Sequence, residues 1–280
     1  MADEFAMVLA GGGAKGAYQV GVFKALREYP IKIKCVSGSS VGGINAFAYA
    51  ALSQEEIEHL WKDFGLEDFI NLDDDWSDGL SDRSALENIL KNIVTPQKLK
   101  NSIPVYNTIC REGKVADYVL LNELDKDTAV KTILATSALP FIYSSVNIQG
   151  VAYQDGGLAD NLPVQPLYDM GLRNMIIVSL SETQRVDRNR FKLDELLEIY
   201  PSRSLGNFVD GVVNFTTDFI SFAMKLGYMD AKRSINSFYN IDNGCHTADF
   251  DYEYIMQELR MEKLQNRVNR NIDGIMKYFD

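Results

Sequence analysis

Cys35-Val36-Ser37-Gly38-Ser39-Ser40-Val41-Gly42-Gly43 decides how the rest of the chain is read. A β-prone run, Ile31 to Val36, leads into this turn of small residues, and an alanine-rich apolar run, Ile44 to Leu52, leaves it. Gly38, Ser40 and Gly42 fit G-x-S-x-G, the pattern of a nucleophile elbow, in which a serine sits on a sharp strand-to-helix turn with its hydroxyl exposed. The flanking glycines let neighbouring chain pass close to a strained backbone, because no Cβ stands in the way. The helix that follows points its N-terminus at the serine and favours negative charge there. Alone, the pentapeptide also fits a glycine-rich turn without chemistry, so the surroundings have to decide.

Upstream, Phe5 to Ala10 reads as a buried strand. Gly11-Gly12-Gly13-Ala14-Lys15-Gly16 follows, then a helix from about Ala17 to Glu28, stopped by Pro30. Gly11, Gly13 and Gly16 match the dinucleotide pattern G-x-G-x-x-G, which needs an acidic residue about 20 positions on, at the end of the next strand. That strand ends in Val36-Ser37-Gly38-Ser39-Ser40, without a carboxylate, which argues against NAD or FAD. No Gly-Lys-Ser/Thr triplet is present, so the phosphate-loop pattern fails as well.

A better use of the loop comes from topology. A right-handed crossover between two parallel strands sets their C-terminal ends side by side, so this loop lies beside the elbow. Backbone N–H groups of Gly12 and Gly13 are then placed to face an oxyanion formed at Ser40. Donors of this kind contribute about 3 kcal/mol each to transition-state stabilisation. Lys15 either adds positive charge near the site or is a solvated lysine at a helix start.

Downstream, Ser53 is an N-cap candidate for an amphipathic helix, Gln54 to Phe64, with His59 as a surface or half-buried helix residue. Asp73-Asp74-Asp75 lies in an acidic stretch, Asn71 to Asp82, that lacks the glycine and distal glutamate of a calcium loop and reads as a solvated turn. Ser84 to Val94 is helical and ends before Pro96. Pro104 to Cys110 and Lys114 to Leu121 form a hairpin pattern around Arg111-Glu112-Gly113, and Thr128 to Leu139 returns to helix. A second hairpin, Ser144 to Ile148 with Val151 to Gln154, runs straight into Asp155-Gly156-Gly157, a carboxylate at a strand end followed by two glycines. Pro166 to Met170 is a short helix closed by Gly171, and Asn174 to Leu180 is an apolar strand, expected parallel to the first two. Asn207 to Ile235 reads as one long helix, with Phe208, Val212, Phe215, Phe219, Phe222, Leu226 and Met229 on one stripe. That stripe is core packing or a lipid-facing surface. Glu253 to Phe279 reads as a final amphipathic helix.

Composition narrows the classes. At 280 residues, 46% hydrophobic and 24% charged, the chain can bury a sizeable core as one large domain or two. A net charge of -11 argues against nucleic acid and against electrostatic capture by an anionic membrane. Cys35, Cys110 and Cys245 are odd in number and lack metal spacing, so free thiols in a reducing compartment are expected. Met1 to Phe5 is acidic and lacks the apolar region of a secretory signal, and no apolar run reaches the ~18 residues that span a bilayer. The expected location is cytoplasmic, with peripheral contact to membrane or micelle during turnover.

The glycine loop, Ser40 in its elbow and Asp155-Gly156-Gly157 stand in an order that resembles the patatin-like phospholipase family. Ala135-Thr136-Ser137-Ala138-Leu139-Pro140 and Asn161-Leu162-Pro163-Val164 support the resemblance, which covers about residues 5 to 180. It implies a three-layer α/β/α fold on a mostly parallel sheet, with a catalytic core at 1–185 and a helical C-terminal region at 186–280 packed on it. It further implies Ser40 as nucleophile, Asp155 as base and Gly11, Gly12 and Gly13 as the oxyanion hole. Gly16, Gly38, Gly42, Gly156 and Gly157 are the motif glycines. Lys15 stands where family members often carry arginine, so a bidentate role there is in doubt. The implied substrates are phospholipids or related acyl lipids, cleaved through an acyl-enzyme with no cofactor or metal required.

Two other readings stand beside it. The chain order Ser40, Asp155, His246 permits an α/β-hydrolase triad, although that fold places several strands before its nucleophile and His246 follows no strand end. A lipid- or partner-binding module without turnover could use the same scaffold. Acyl transfer to an acceptor other than water, or thioester cleavage, is separable only by product analysis.

Overall fold

Apolar residues on both faces of Phe5-Ala6-Met7-Val8-Leu9 mark a strand at the centre of a sheet, covered on each side. The computed structural model describes residues 3–63, 83–112, 114–140, 142–241 and 248–276. In it β1 (Asp3–Leu9) pairs in parallel with β2 (Ile31–Ser39) on one edge and β7 (Asn174–Val178) on the other. The described sheet has eight strands in the order β5-β6-β3-β2-β1-β7-β8, with β4 (Val115–Leu120) against β3 (Val105–Arg111). Strands β3, β2, β1, β7 and β8 (Glu195–Ile199) run parallel; β4 and β6 (Val151–Asp155) are antiparallel to β3, and β5 (Val146–Ile148) is antiparallel to β6.

Phe5, Met7 and Leu9 face the larger core, with α1 (Ala17–Leu26), α2 (Val41–Ala51), α3 (Gln54–Asp63), α4 (Ser84–Ile93), α5 (Pro96–Asn101), α6 (Lys126–Thr136) and α8 (Thr217–Phe238). Ala6 and Val8 face the smaller core, closed by α7 (Gln165–Asp169) and by Val186 and Phe191. This is the expected three-layer α/β/α arrangement, with one layer much thinner than the other. Helix α9 (Ala248–Met276) packs on α8. Among the described residues, no helix is long and apolar enough to cross a membrane.

Helices α1 and α8 meet backbone to backbone. A Cβ added at Gly21 would stand 1.9 Å from the Met224 carbonyl oxygen, and one at Gly227 2.0 Å from that of Tyr18. Tyr18 donates its hydroxyl to Asp230 at 3.1 Å, and Arg233 links Asp230 to Asp251 on α9. The region after residue 185 is therefore joined to the core by a strand as well as by helices.

Most expected elements are present, and the differences have physical causes. Ser53 caps α3 as expected, its hydroxyl accepting the Glu56 N–H at 3.2 Å while the Glu56 carboxylate accepts the Ser53 N–H at 2.7 Å. Pro96 ends one helix and also starts α5, because proline suits a first helical position and Thr95 caps it. Asn207 to Ile235 is not one helix. Asn207 caps a π-helical turn, Phe208–Val212, and Thr216 caps α8, so side chains that bond to the backbone locally interrupt the apolar stripe. Strand β8 is not announced by the sequence, because Glu195-Leu196-Leu197-Glu198-Ile199 has a single β-branched residue and no clean alternation. The acidic stretch around Asp73, Cys245, His246 and the last residues of the final predicted helix lie outside the described residues.

Candidate active site

The sheet register brings the serine and the aspartate together. β4 occupies one edge of β3, so β2 and β6 share the other: Ser39 stands opposite Thr108, and Asp155 opposite Ile109, the next residue along. The end of parallel β2 and the end of antiparallel β6 therefore converge. Ser40 donates its hydroxyl to Asp155 Oδ2 at 2.7 Å.

Ser40 has φ 55° and ψ -130°, a strained conformation for a residue with a side chain, and α2 begins at the next residue. A Cβ at Gly42 would stand 2.4 Å from the Leu9 carbonyl oxygen, so the elbow lies hard against the end of β1. Thr136 holds it from behind. Its hydroxyl accepts the Ser40 N–H at 3.0 Å and donates to the Thr108 carbonyl at 2.5 Å. In the sequence Thr136 is one residue of the stretch Ala135–Pro140 with no role of its own; only the fold places it under the serine.

Asp155 is 4% exposed. Its Oδ1 accepts the Gly157 N–H at 2.8 Å, and its own N–H is given to the Ala138 carbonyl at 2.9 Å. Burial pushes the carboxyl up from 3.8 to about 6, against the opposing pull of the Ser40 hydroxyl, the Gly157 N–H and the Arg83 charge.

The glycine loop lies beside the elbow, as expected. Gly11 gives its N–H to the Asn161 carbonyl at 3.3 Å, while the Asn161 amide donates to the Gly11 carbonyl at the same distance. Gly13 has φ 58°, and a Cβ there would stand 2.2 Å from the Val212 carbonyl oxygen. Lys15 is not a solvated lysine: it donates Nζ to the Gly206 carbonyl at 2.6 Å, tying the loop to the chain ahead of the π-helical turn.

A cavity of about 480 Å³ contains Ser40, Asp155, Gly11, Gly12, Gly13 and Lys15, within the size range of single-ligand pockets. Much of the remaining wall is apolar, from Ile44 and Ala48 on α2, Ile57 and Leu60 on α3, and Leu86 and Leu90 on α4. Arg83, which the sequence did not single out, lines it too. His59 is on the surface of α3, its side chain 69% exposed. Among the described residues no cluster of potential ligands could hold a metal ion.

An uncharacterized NTE family protein of Mycobacterium tuberculosis is 26% identical over 181 residues, covering 64% of this chain and 49% of its own length. A lysophospholipase NTE1 of Cryptococcus neoformans is 25% identical over 196 residues, covering 64% of this chain and 11% of its own. The chain thus spans half or less of the length of these relatives. Among solved structures, VipD from Legionella pneumophila superposes with a TM-score of 0.54 at 12% identity, over 97% of this chain and 77% of that one, a likeness of fold. The family model for patatin-like phospholipase matches residues 7–168, which hold the glycine loop, the elbow and Asp155-Gly156-Gly157; the chain belongs to the patatin-like phospholipase family.

Proposed function

We propose that this chain is a serine acyl hydrolase of phospholipids or lysophospholipids, working through a Ser40–Asp155 dyad. The observation that carries the proposal is the 2.7 Å hydrogen bond from the Ser40 hydroxyl to a buried carboxylate, at a strained elbow in an apolar cavity. The lysophospholipase name of the fungal relative supports the lipid class.

The chemistry follows from the groups present. Ionised Asp155 takes the Ser40 proton as Oγ attacks the ester carbonyl carbon. The C–O π pair moves to the carbonyl oxygen. The Gly11 N–H is already given to Asn161, so Gly12 and Gly13 are the loop donors left for that oxyanion. Collapse breaks the bond to the leaving alcohol, which takes the proton back from Asp155. A water, deprotonated by Asp155, then attacks the acyl-enzyme carbonyl, and Asp155 returns that proton to Ser40 Oγ as the ester bond breaks and the fatty acid leaves. No step needs an imidazole, because the Ser40 hydroxyl already donates its hydrogen bond to a carboxylate oxygen.

The test is mass spectrometry of products from a mixed lipid extract incubated with the wild-type protein and with Ser40→Ala. The proposal expects free fatty acid and a deacylated lipid from the wild type alone. Lipids left unchanged by the wild type would support a binding module, and acylated acceptors in place of fatty acid would make the chain a transferase.

A further inference from the structure

The charge balance of the cavity runs opposite to that of the chain. Among the described residues its charged side chains are Lys15, Arg83 and Asp155, two cations and one carboxylate, in a chain of net charge -11. A confined positive field on an acidic molecule favours an anionic ligand at that place. Lys15 already gives Nζ to Gly206.

Arg83 is held differently. One terminal nitrogen of its guanidinium donates to the Leu134 carbonyl at 2.8 Å, and the other to the Ser137 hydroxyl at 2.7 Å. The group lies over the Tyr143 ring, 4.3 Å from its centre. Leu134 and Ser137 are at the C-terminal end of α6, one residue from Ala138, whose carbonyl accepts the Asp155 N–H. Among the described residues no carboxylate pairs with Arg83. Each terminal nitrogen carries a second N–H, and among the described residues the buried Nε has no hydrogen-bond partner. A half-buried guanidinium fixed by two hydrogen bonds and a ring, on which the Asp155 and Glu87 carboxylates act only through longer-range charge, is a pre-organised fork for an anionic oxygen group.

We propose that Arg83 binds an anionic oxygen group of the lipid next to the scissile ester: the phosphate of the substrate or the carboxylate of the fatty acid released. This rests on the acyl-hydrolase reading above and narrows it, making Arg83 a specificity-determining residue. An acyl chain against the apolar wall of α2, α3 and α4 would leave the ester at Ser40 and a phosphate about four to five bonds beyond the ester oxygen.

The experiment compares 1-palmitoyl lysophosphatidate with 1-palmitoylglycerol, which share chain and ester and differ by the phosphate, in neutral detergent micelles. Wild type, Arg83→Gln and Arg83→Lys are assayed on both, and inhibition by palmitate is measured alongside. With the phosphate as the ligand, Arg83→Gln raises KM for lysophosphatidate about ten- to hundredfold more than for the neutral lipid, and Arg83→Lys recovers part of it. With the product carboxylate as the ligand, both lipids lose equally and palmitate inhibition weakens instead. Equal losses on both lipids with palmitate inhibition unaltered overturn the proposal. A partly unfolded variant scales both lipids together, so the ratio between them still decides. Calorimetric binding of the two lipids to Ser40→Ala, with and without Arg83→Gln, needs no turnover. It separates failure at Arg83 from failure of the acyl-hydrolase reading.

Discussion

Asp155 is placed where chemistry and stability pull in opposite directions. Its carboxyl titrates near 6 when folded against 3.8 ordinarily, so the ionised form is less favourable folded than unfolded. That cost is fully present above about pH 6 and fades as pH falls towards 4. Two pH units at ~1.4 kcal/mol each give about 3 kcal/mol. Asp155→Asn is therefore expected to be more stable than wild type by up to about 3 kcal/mol near pH 8, the gain vanishing near pH 4, as read by urea unfolding at the two pH values. A variant less stable than wild type at both would contradict the burial argument. The same titration predicts that kcat/KM climbs with pH up to about 6 and then levels, since the base must be ionised. Thr136 offers a second test. Thr136→Val strands the Ser40 N–H and the Thr108 carbonyl, at about 1–3 kcal/mol each, whereas Thr136→Ser keeps both bonds. Labelling of Ser40 by a fluorophosphonate should slow sharply in the first and little in the second; equal rates in both would remove Thr136 from the elbow. Ser40 and Asp155 were legible in the sequence because each sits in a motif of small residues. Thr136 and Arg83 were not, since their roles arise from what packs against them.

The glycine loop and the turn that covers it behave as one element. Gly13 is in the left-handed region, and a side chain there would meet the Val212 carbonyl. Gly13→Val should lower activity by about a hundredfold or more while the fold survives, as circular dichroism would verify. Near-normal turnover in that folded variant would take the loop out of the mechanism. Helices α1 and α8 give a test that concerns stability alone. Gly21→Ala or Gly227→Ala forces a methyl into the opposing backbone and should destabilise by about 1–3 kcal/mol, measured by thermal unfolding; an undiminished Tm would contradict the close crossing. Strands β1 and β7 could be read from apolar runs, β2 from its β-prone run Ile31 to Val36, and the two hairpins from their turns. The break between Val212 and Thr217 could not: the stripe from Phe208 to Met229 keeps helical spacing, and Phe208, on that stripe, is 53% exposed. Asn207, Asn214 and Thr216 carry the interruption, and each alone is an ordinary helix-surface residue.

At the scale of the molecule, β8 on the edge of β7 and α8 against α1 tie the region after residue 185 to the core. We propose that 186–280 is a region packed on a core at 1–185, and that 1–185 expressed alone lacks cooperative thermal unfolding; a sharp transition in that fragment would contradict this. The parallel pairing of β1 with β2 and the direction of β7 could be read from the sequence, whereas the attachment of β8 depends on tertiary pairing that no local pattern announces. With a net charge of -11, docking to lipid is expected to rest on apolar contact, with Val209, 69% exposed, on the π-helical turn whose Phe208 and Val212 line the cavity. Activity on zwitterionic micelles should then vary little with salt, and a steep fall with salt would point to a basic patch instead.

The central claim is that a carboxylate activates Ser40 with no imidazole between them. The most direct measurement is kcat/KM on one long-chain lysophospholipid for Asp155→Asn and His246→Ala, both shown to be folded. The account predicts a loss of about 10²–10⁴-fold for Asp155→Asn and little change for His246→Ala. A folded, inactive His246→Ala beside a folded, active Asp155→Asn would contradict it.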